Sequence, residues 1–204
     1  MNSPIESEIK FVLTDDAAVR LREALESWPD IEKAGRVYEK STMFDDERGR
    51  MQARDARLRV RQVGGPLGPS GVEFAYKRRL ASNGPIKREE ELELAYAGDP
   101  EPLVAILDRM GYLPTTSYER YRTTYRLGGL KLTLDEFPFG CVLEIEGADA
   151  DIASCCARLS LVESASTLES CDDVYERLCR EQGAAPRRHI EFADTTMPHV
   201  GRRL

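Results

Sequence analysis

The side chains with the most chemistry to offer in this chain are carboxylates, guanidiniums and ammoniums, and they recur at every second position. Glu6, Glu8 and Lys10 alternate with Ile5, Ile9 and Phe11, and Arg59 and Arg61 with Leu58 and Val60. Glu73, Lys77 and Arg79 oppose Val72, Phe74 and Tyr76, while Lys87, Glu89, Glu91 and Glu93 oppose Ile86, Leu92 and Leu94. Further on, Arg120, Arg122 and Arg126 oppose Tyr121 and Tyr125; Lys131, Thr133 and Asp135 oppose Leu132 and Leu134; Glu144 and Glu146 oppose Leu143 and Ile145. Carboxylates gathered on one surface suit hard cations such as Mg²⁺ or Mn²⁺, which take oxygen ligands and bridge to phosphate oxygens. Arg forks and Lys point charges suit a run of phosphates. The ligand that this mixture suggests is a metal-bound polyphosphate.

Other chemistries are excluded by composition. The 204 residues hold two histidines, His189 and His199, both near the C-terminus, which leaves little for a Ser-His-Asp or Cys-His enzyme or a His-rich zinc site. Five cysteines (141, 155, 156, 171 and 179) are odd in number and lack CxxC spacing, so they read as reduced thiols of a cytoplasmic protein. A net charge of −7 disfavours nucleic acid as a partner. No apolar run is long enough for a bilayer, and Met1 is not followed by a secretory leader pattern.

Period-two alternation is strand behaviour, and it predicts strands over 4–13, 35–46, 56–63, 71–80, 86–97, 115–127, 129–136 and 140–147. Glycines and prolines make 64–71 a loop, and Asn83-Gly84-Pro85 a hairpin turn. Helices are expected after Asp15 and Asp16, with Val19, Leu21, Leu25 and Trp28 as the apolar stripe; from Asp99-Pro100 to Gly111; from Asp149 or Asp151; and from Ser170 to Gly183. The expected domain is residues 1–183, followed by a loosely structured tail over 184–204.

Two geometries fit the alternation. A sheet can pack its apolar face on helices and leave the charged face to water. Alternatively the sheet closes with its charges inward and helices cover the apolar outside. An exposed face usually draws Thr, Ser and Gln as freely as charge, whereas this face is almost wholly Glu, Asp, Arg and Lys. The uniformity argues for the second arrangement, an α+β, mainly antiparallel closed barrel of roughly eight strands with a charged lumen.

The order of segments adds a resemblance. Glu6-Ser7-Glu8-Ile9-Lys10 is an ExExK strand; Phe44-Asp45, Leu58-Arg59-Val60-Arg61, Tyr76-Lys77, Arg88 to Glu93, Tyr118 to Arg122, Leu134-Asp135-Glu136 and the closing Cys141 to Gly147 follow in sequence. In that order they resemble the CYTH superfamily, or triphosphate tunnel metalloenzymes, which includes class IV adenylate cyclases, thiamine triphosphatases and inorganic triphosphatases. The resemblance implies a closed barrel around a charged tunnel. It implies Glu6, Glu8, Asp135, Glu144 and Glu146 as ligands of Mg²⁺ or Mn²⁺, and Lys10, Arg59, Arg61, Lys77, Arg120 and Arg122 as the triphosphate grip, with Lys10 and Glu8 closest to the chemistry. For Glu89, Glu91 and Glu93 the alternation points to the lumen, with Leu92 and Leu94 against helices, whereas the family's Arg-x-Glu spacing would select Arg88 and Glu90.

The implied activity is metal-dependent hydrolysis of tripolyphosphate or of an organic triphosphate such as ATP or thiamine triphosphate. One cation would sit on Glu8, Glu144 and Glu146, and a second on Glu6 and Asp135. Attack by the ribose 3′-hydroxyl of ATP would instead make the protein an adenylate cyclase; without turnover the same barrel would be a polyphosphate-binding module. Oligomeric state, a homodimer included, is open. Departures from the family pattern include Ala75 before Tyr76-Lys77, Glu119 in the basic strand, and Met43-Phe44 where some members carry a tyrosine, which Tyr38 could replace only by facing inward. No Lys lies within 149–183, which weakens a thiamine-specific reading. Arg79, Arg126 and Lys131 are expected at the rim, Lys87 is undecided, Cys155-Cys156 should pack on a helix, Tyr118, Tyr121 and Tyr125 should pack outside, and Arg187-Arg188 and Arg202-Arg203 should be solvated.

Overall fold

A computed structural model describes residues 5–65, 68–194 and 196–201. The strands run β1 (Ile5–Leu13), β2 (Glu32–Asp46), β3 (Ala56–Gly65), β4 (Gly68–Leu80), β5 (Lys87–Tyr96), β6 (Tyr112–Leu127), β7 (Leu130–Phe137), β8 (Gly140–Glu146) and β9 (His189–Ile190). Helices α1 (Asp15–Glu26), α2 (Glu101–Arg109), α3 (Asp149–Arg158) and α4 (Cys171–Glu181) are interspersed. The sheet order is β2-β3-β4-β5-β1-β8-β7-β6, and pairing of β2 with β6 closes it into an antiparallel barrel of eight strands. β6 pairs with β7 only from Tyr121 onward, which leaves Ser117 and Tyr118 free on that side to take β9 as a short parallel addition.

Register fixes which face is which, because side chains alternate strictly along each strand. Lys10 lies opposite Glu144, Glu8 opposite Glu146 and Lys87, Arg57 opposite Lys77, Lys77 opposite Glu91, and Arg122 opposite Asp135. All of these point to the inside. The apolar residues form three clusters, two on the outside and a third that closes one end of the lumen, where Phe137 and Val142 share the inward parity of Asp135 and Glu144. Ile9, Phe11, Leu132, Leu134, Leu143 and Ile145 pack under α1 and α3; α2 covers Phe44, Leu58, Val60 and Val72; α4 lies on Phe137, Phe139 and Val142. The protein is thus a barrel with its charge within and its apolar core between strands and helices, as the alternation implied.

The helices begin where small polar caps permit. Thr14, not Asp15, caps α1 by accepting a hydrogen bond from the Ala17 amide, and Asp15 and Asp16 occupy the first turn. Ser170 and Asp173 form a reciprocal capping box at the start of α4. Along α1 the buried stripe is Ala18, Leu21 and Leu25; Val19 is 57% exposed, since a one-residue step turns a side chain by about 100°. All five cysteines are free, with Cys155 and Cys156 buried on α3.

Three expectations fail. The loop foreseen over 64–71 is largely strand: Gly64 pairs with Pro69 and Gly65 with Gly68 beyond a register shift, and only residues 66–67 lie outside the described residues. Leu92 and Leu94 do not face helices; they stand 52% and 62% exposed, because neither α2 nor α3 reaches the outer face of β5. The segment after Gly183 is not loose through its described part. Ile190 and Met197 are buried against the α4 cluster, the Val200 amide donates to the Phe139 carbonyl at 2.9 Å, and Arg187 pairs with Asp194; Arg202 and Arg203 lie outside the described residues. Gly140 makes this closure possible, since a β-carbon there would stand 2.7 Å from Val200 Cγ2 at a φ of +141°.

If the tail is part of the folded unit, Ile190→Ala should lower unfolding stability by about 2–5 kcal/mol, the usual cost of such a truncation in a packed site. A urea denaturation midpoint equal to that of the unaltered protein would show that the segment contributes nothing.

Candidate active site in the barrel lumen

The lumen opens into a cavity whose wall includes Glu8, Lys10, Arg59, Arg61, Lys77, Glu89, Arg120, Arg122, Glu144 and Glu146. A second space at the opposite mouth is lined by Glu6, Glu91 and Glu93, and it shares Arg59, Arg61, Lys77, Arg122 and Lys131 with the first. Glu89, Glu91 and Glu93 therefore face inward as the alternation requires, although Leu92 and Leu94 reach no helix. Arg88 and Glu90 are on the outside, paired with Asp149 and Arg78. One end of the tunnel is stoppered: Ser170, Cys171 and Asp172 of the α4 start reach into the cavity, and Lys10 Nζ donates to the Glu169 carbonyl at 3.2 Å.

Buried charges are expensive unless partnered, and here they partner one another in one unbroken series. Arg61 reaches Glu39 at 3.5 Å, Glu39 accepts from Arg120 at 2.6 Å, Arg120 from its other end meets Asp135 at 2.9 Å, and Asp135 takes Arg122 at 2.6 Å. Arg122 continues to Glu144 at 3.0 Å, Glu144 to Lys10 at 3.2 Å, Lys10 to Glu8 at 3.7 Å, Glu8 to Lys87 at 3.2 Å, and Lys87 to Glu89 at 2.9 Å, which also holds Arg57. Lys77 bridges Glu6 and Glu91, and Lys131 holds Glu146 at 2.7 Å.

The electrostatics are uneven. Burial alone would raise the Glu39 carboxyl, but Arg120 and Arg61 overcome it and hold it down at about 2. Burial would likewise raise Glu144, yet Lys10 and Arg122 keep it well below the carboxylate range. Burial works against the Lys10 ammonium too, and Glu144 with its neighbours still lifts it above the usual value. Arg61 goes the other way: burial, then Arg59 and Arg120 crowding it, pull its guanidinium down to about 10. Arg59 has the poorest partners, with Nη2 4.0 and 3.9 Å from Glu91 and Glu93 and a buried Nε that lacks any hydrogen-bond acceptor. Arg61 is still held by Glu39 and, at 2.8 Å, by Glu73, so the poorly matched positive charge on this wall is that of Arg59.

Among the metal-ligand candidates the placements differ. Glu8, Glu144 and Glu146 are on the cavity wall and Glu6 is at the open mouth. Asp135 is fully buried behind Arg120 and Arg122, with both oxygens accepting from them. Among the described residues no three His, Cys, Asp or Glu side chains form a cage for a metal. The donor set nonetheless fits a hard cation of the Mg²⁺ kind, which is commonly held by one or two carboxylates together with substrate phosphates; Glu8, Glu144 and Glu146 are the residues that would hold it.

Six lumen groups escaped the sequence reading or were misplaced by it. Arg57 extends the Arg59 and Arg61 alternation by one step, and Glu39 does the same on β2. Lys87, undecided from sequence, is buried in the lumen, and Lys131, expected at the rim, lines both spaces. Tyr118 faces inward with Arg120 and Arg122, because it shares their parity; Tyr121 and Tyr125 do pack outside. Tyr38 stacks edge-on with Tyr121, 5.5 Å between centroids, so it cannot serve the tunnel. Asp172, on a helix, carries no period-two signal at all.

An eight-stranded antiparallel barrel with acids and bases lining its lumen defines a class of tunnel proteins, and the sequence matches the CYTH domain over residues 4–156. The chain belongs to the CYTH domain family. Among solved structures it is similar to the PH1012 protein of Pyrococcus horikoshii OT3, at 22% identity and a TM-score of 0.63 over 81% of this chain and 96% of that one. A candidate adenylate cyclase from Vibrio parahaemolyticus shares 18% identity, with a TM-score of 0.65 over 85% and 98% of the two chains. HpAC1 of Hippeastrum, described as a candidate adenylyl cyclase with a dominant triphosphatase activity, shares 17% identity, with a TM-score of 0.61 over 89% and 97%. These likenesses establish the fold. No curated protein matches the sequence significantly.

Glu39 offers a direct check of the charge series. Its folded-state carboxyl lies below its ordinary value of 4.5, so its stabilisation is present above that value and is lost as pH falls toward about 2. Glu39→Gln should cost about 3–5 kcal/mol at neutral pH, since it strands buried guanidiniums, and the difference from the unaltered protein should shrink steadily below pH 4.5. A pH-independent difference in urea unfolding would mean that the pairing does not carry the effect.

Proposed function

We propose that the protein is a divalent-metal-dependent triphosphatase that grips a linear triphosphate in the lumen and transfers its terminal phosphoryl group to water. The observation that carries this reading is the cationic wall around Arg59 and Arg61: a buried guanidinium whose Nε lacks an acceptor, beside another whose charge is disfavoured by burial and cationic neighbours even with Glu39 and Glu73 against it. An anion bound there relieves both. β3, which bears Arg57, Arg59 and Arg61, stands four strands from β8 in either direction around the barrel, so the cationic wall faces Glu144 and Glu146 across the lumen.

The chain's own residues then divide the work. Arg59, Arg61, Lys77, Arg120 and Arg122 bind the phosphate oxygens, with Asp135 and Glu39 fixing the orientation of the Arg120 and Arg122 forks. Lys10 sits between Glu8 and Glu144 and neutralises charge on the reacting phosphoryl group. Glu8, Glu144 and Glu146 are the residues for the cation, which supplies Lewis-acid stabilisation of phosphate charge when bound. As phosphates enter, Lys10, Lys87, Arg122 and Lys131 can turn from these carboxylates toward the new anion, which frees oxygens for the metal.

Hydrolysis is favoured over cyclisation by what the mouth lacks. Among the described residues the open end is lined by Glu6, Glu91, Glu93, Lys77, Arg59, Arg61, Arg122 and Lys131, and none of these offers an aromatic or apolar face on which a nucleobase could stack.

Purified protein with tripolyphosphate, ATP, GTP and thiamine triphosphate, each with Mg²⁺ or Mn²⁺, should release phosphate. Cyclic AMP as the main product from ATP would move the assignment to a cyclase, and metal-dependent binding without turnover would leave a binding module. Within the active enzyme, Arg59→Ala should raise KM for triphosphate roughly 10- to 100-fold, the range expected for losing a charged hydrogen bond, and Glu146→Gln should abolish metal-dependent turnover with an unchanged circular dichroism spectrum. Full activity of Glu146→Gln would remove that residue from the ligand set.

A further inference from the structure

The stoppered end of the tunnel contains a carboxylate that no other part of the site explains. Asp172 is the second residue of α4, lines the main cavity, and makes no hydrogen bond or ion pair among the described residues. Its neighbour Asp173 already closes the capping box with Ser170, so the helix start does not need Asp172 as a cap. Every other lumenal carboxylate on the Glu8–Glu144 side of the cavity is held by Lys or Arg.

We propose that Asp172 is the general base of the hydrolytic reaction, taking the proton of the water that attacks the terminal phosphorus. The inference rests on the triphosphatase reading and deepens it, because it assigns the water-activating group and places the reacting phosphoryl group at the α4 end. In the step, the water oxygen forms a bond to phosphorus as the bond from phosphorus to the bridging oxygen breaks. The electron pair of the broken bond stays on the departing diphosphate, beside Arg59, Arg61 and Arg122. The water proton passes to an Asp172 carboxylate oxygen and from there to solvent as orthophosphate leaves.

The surroundings suit that role. Burial raises the Asp172 carboxyl to about 6; Arg57 and Lys10 oppose the shift, while Asp173 and Glu176 on its own helix add to it. Facing it from the barrel are Arg57 on β3, Lys10 and Glu8 on β1, Lys87 and Glu89 on β5, and Tyr118 on β6. A base in this range is ionised at neutral pH yet basic enough to accept a proton in the transition state. Lys10, tied through its Nζ to the Glu169 carbonyl, anchors the segment that carries Asp172 to the strand that carries Glu8.

The test is the tripolyphosphatase rate of the full chain with Mg²⁺ or Mn²⁺ across pH 4.5–9, for the unaltered protein, Asp172→Asn and Asp172→Glu. Asp172→Asn should lower kcat roughly 10²- to 10⁴-fold with little change in KM, and the acid limb of the profile near pH 6 should disappear. Asp172→Glu should restore part of the rate together with an acid limb, which a purely structural role would not predict. Wild-type kcat and an unchanged acid limb in Asp172→Asn would overturn the assignment while leaving the triphosphatase reading intact; so would a raised KM at constant kcat. Absence of turnover in the unaltered protein would overturn both. Should Asp172→Asn fail to fold, the profiles of the other two proteins decide, and an acid limb missing from the unaltered enzyme overturns the proposal.

Discussion

A closed barrel of eight strands has room for side chains and at most a small ligand, so whatever fills its lumen must be mutually compatible. In this protein the fill is ionic. The pairing that runs from Arg61 through Glu39, Arg120, Asp135, Arg122, Glu144, Lys10, Glu8 and Lys87 to Glu89 is the constraint on which the rest depends. Each member is stranded if its neighbours are removed. Register must therefore be right on every strand at once, since a slip of one residue would put Leu, Ile and Val into the lumen and charge under the helices.

The same series explains how a ligand can be accommodated without unfolding the site. Ion pairs between long side chains exchange partners at small cost when a new anion or cation brings its own charge. Asp135 and Glu39 differ from the wall carboxylates in this respect. Fully or nearly fully enclosed, and each shared between guanidiniums, they act as fixed struts that hold the Arg120 fork from two sides. Glu8, Glu144 and Glu146 face the cavity and have partners that can turn away. A strut and a ligand are both acidic residues on alternating strands, and only their depth separates them.

That distinction marks how far the sequence could be read. Strand parity was legible because the code is binary: Glu89, Glu91 and Glu93 were placed inward by alternation alone, and Arg57 and Glu39 follow from the same rule carried one step further. Helix starts were legible near Asp15-Asp16, Asp99 and Ser170, although Thr14 and not Asp15 supplies the first cap. Depth was not legible, so Asp135 was grouped with the metal ligands although it sits behind the arginines. Nor was coverage: Leu92 and Leu94 carry the same signal as Leu132 and Leu134, and only the three-dimensional reach of α2 and α3 decides that the first pair meets water. Tail packing was hidden for a related reason, since Ile190 and Met197 are isolated apolar residues whose burial depends on the Phe139 and Tyr175 surface supplied from elsewhere.

Apolar side chains enter this lumen only toward the α4 end, and charge fills the rest, which makes the helices structural necessities. Much of the hydrophobic contribution comes from the outer face, where strands present Ile9, Leu132, Leu143 and Ile145 to α1 and α3, and Phe44, Leu58 and Val60 to α2. α4 has a double position. Its apolar side packs on Phe139 and Val142 at one end of the barrel while its first turn projects Asp172 into the lumen, so the cluster that stabilises the fold also sets the floor of the tunnel. The packing of the fold and the wall of the cavity are joined at that end. Residues at the mouth can vary with little cost to packing, whereas any change in α4 alters the core and the floor together.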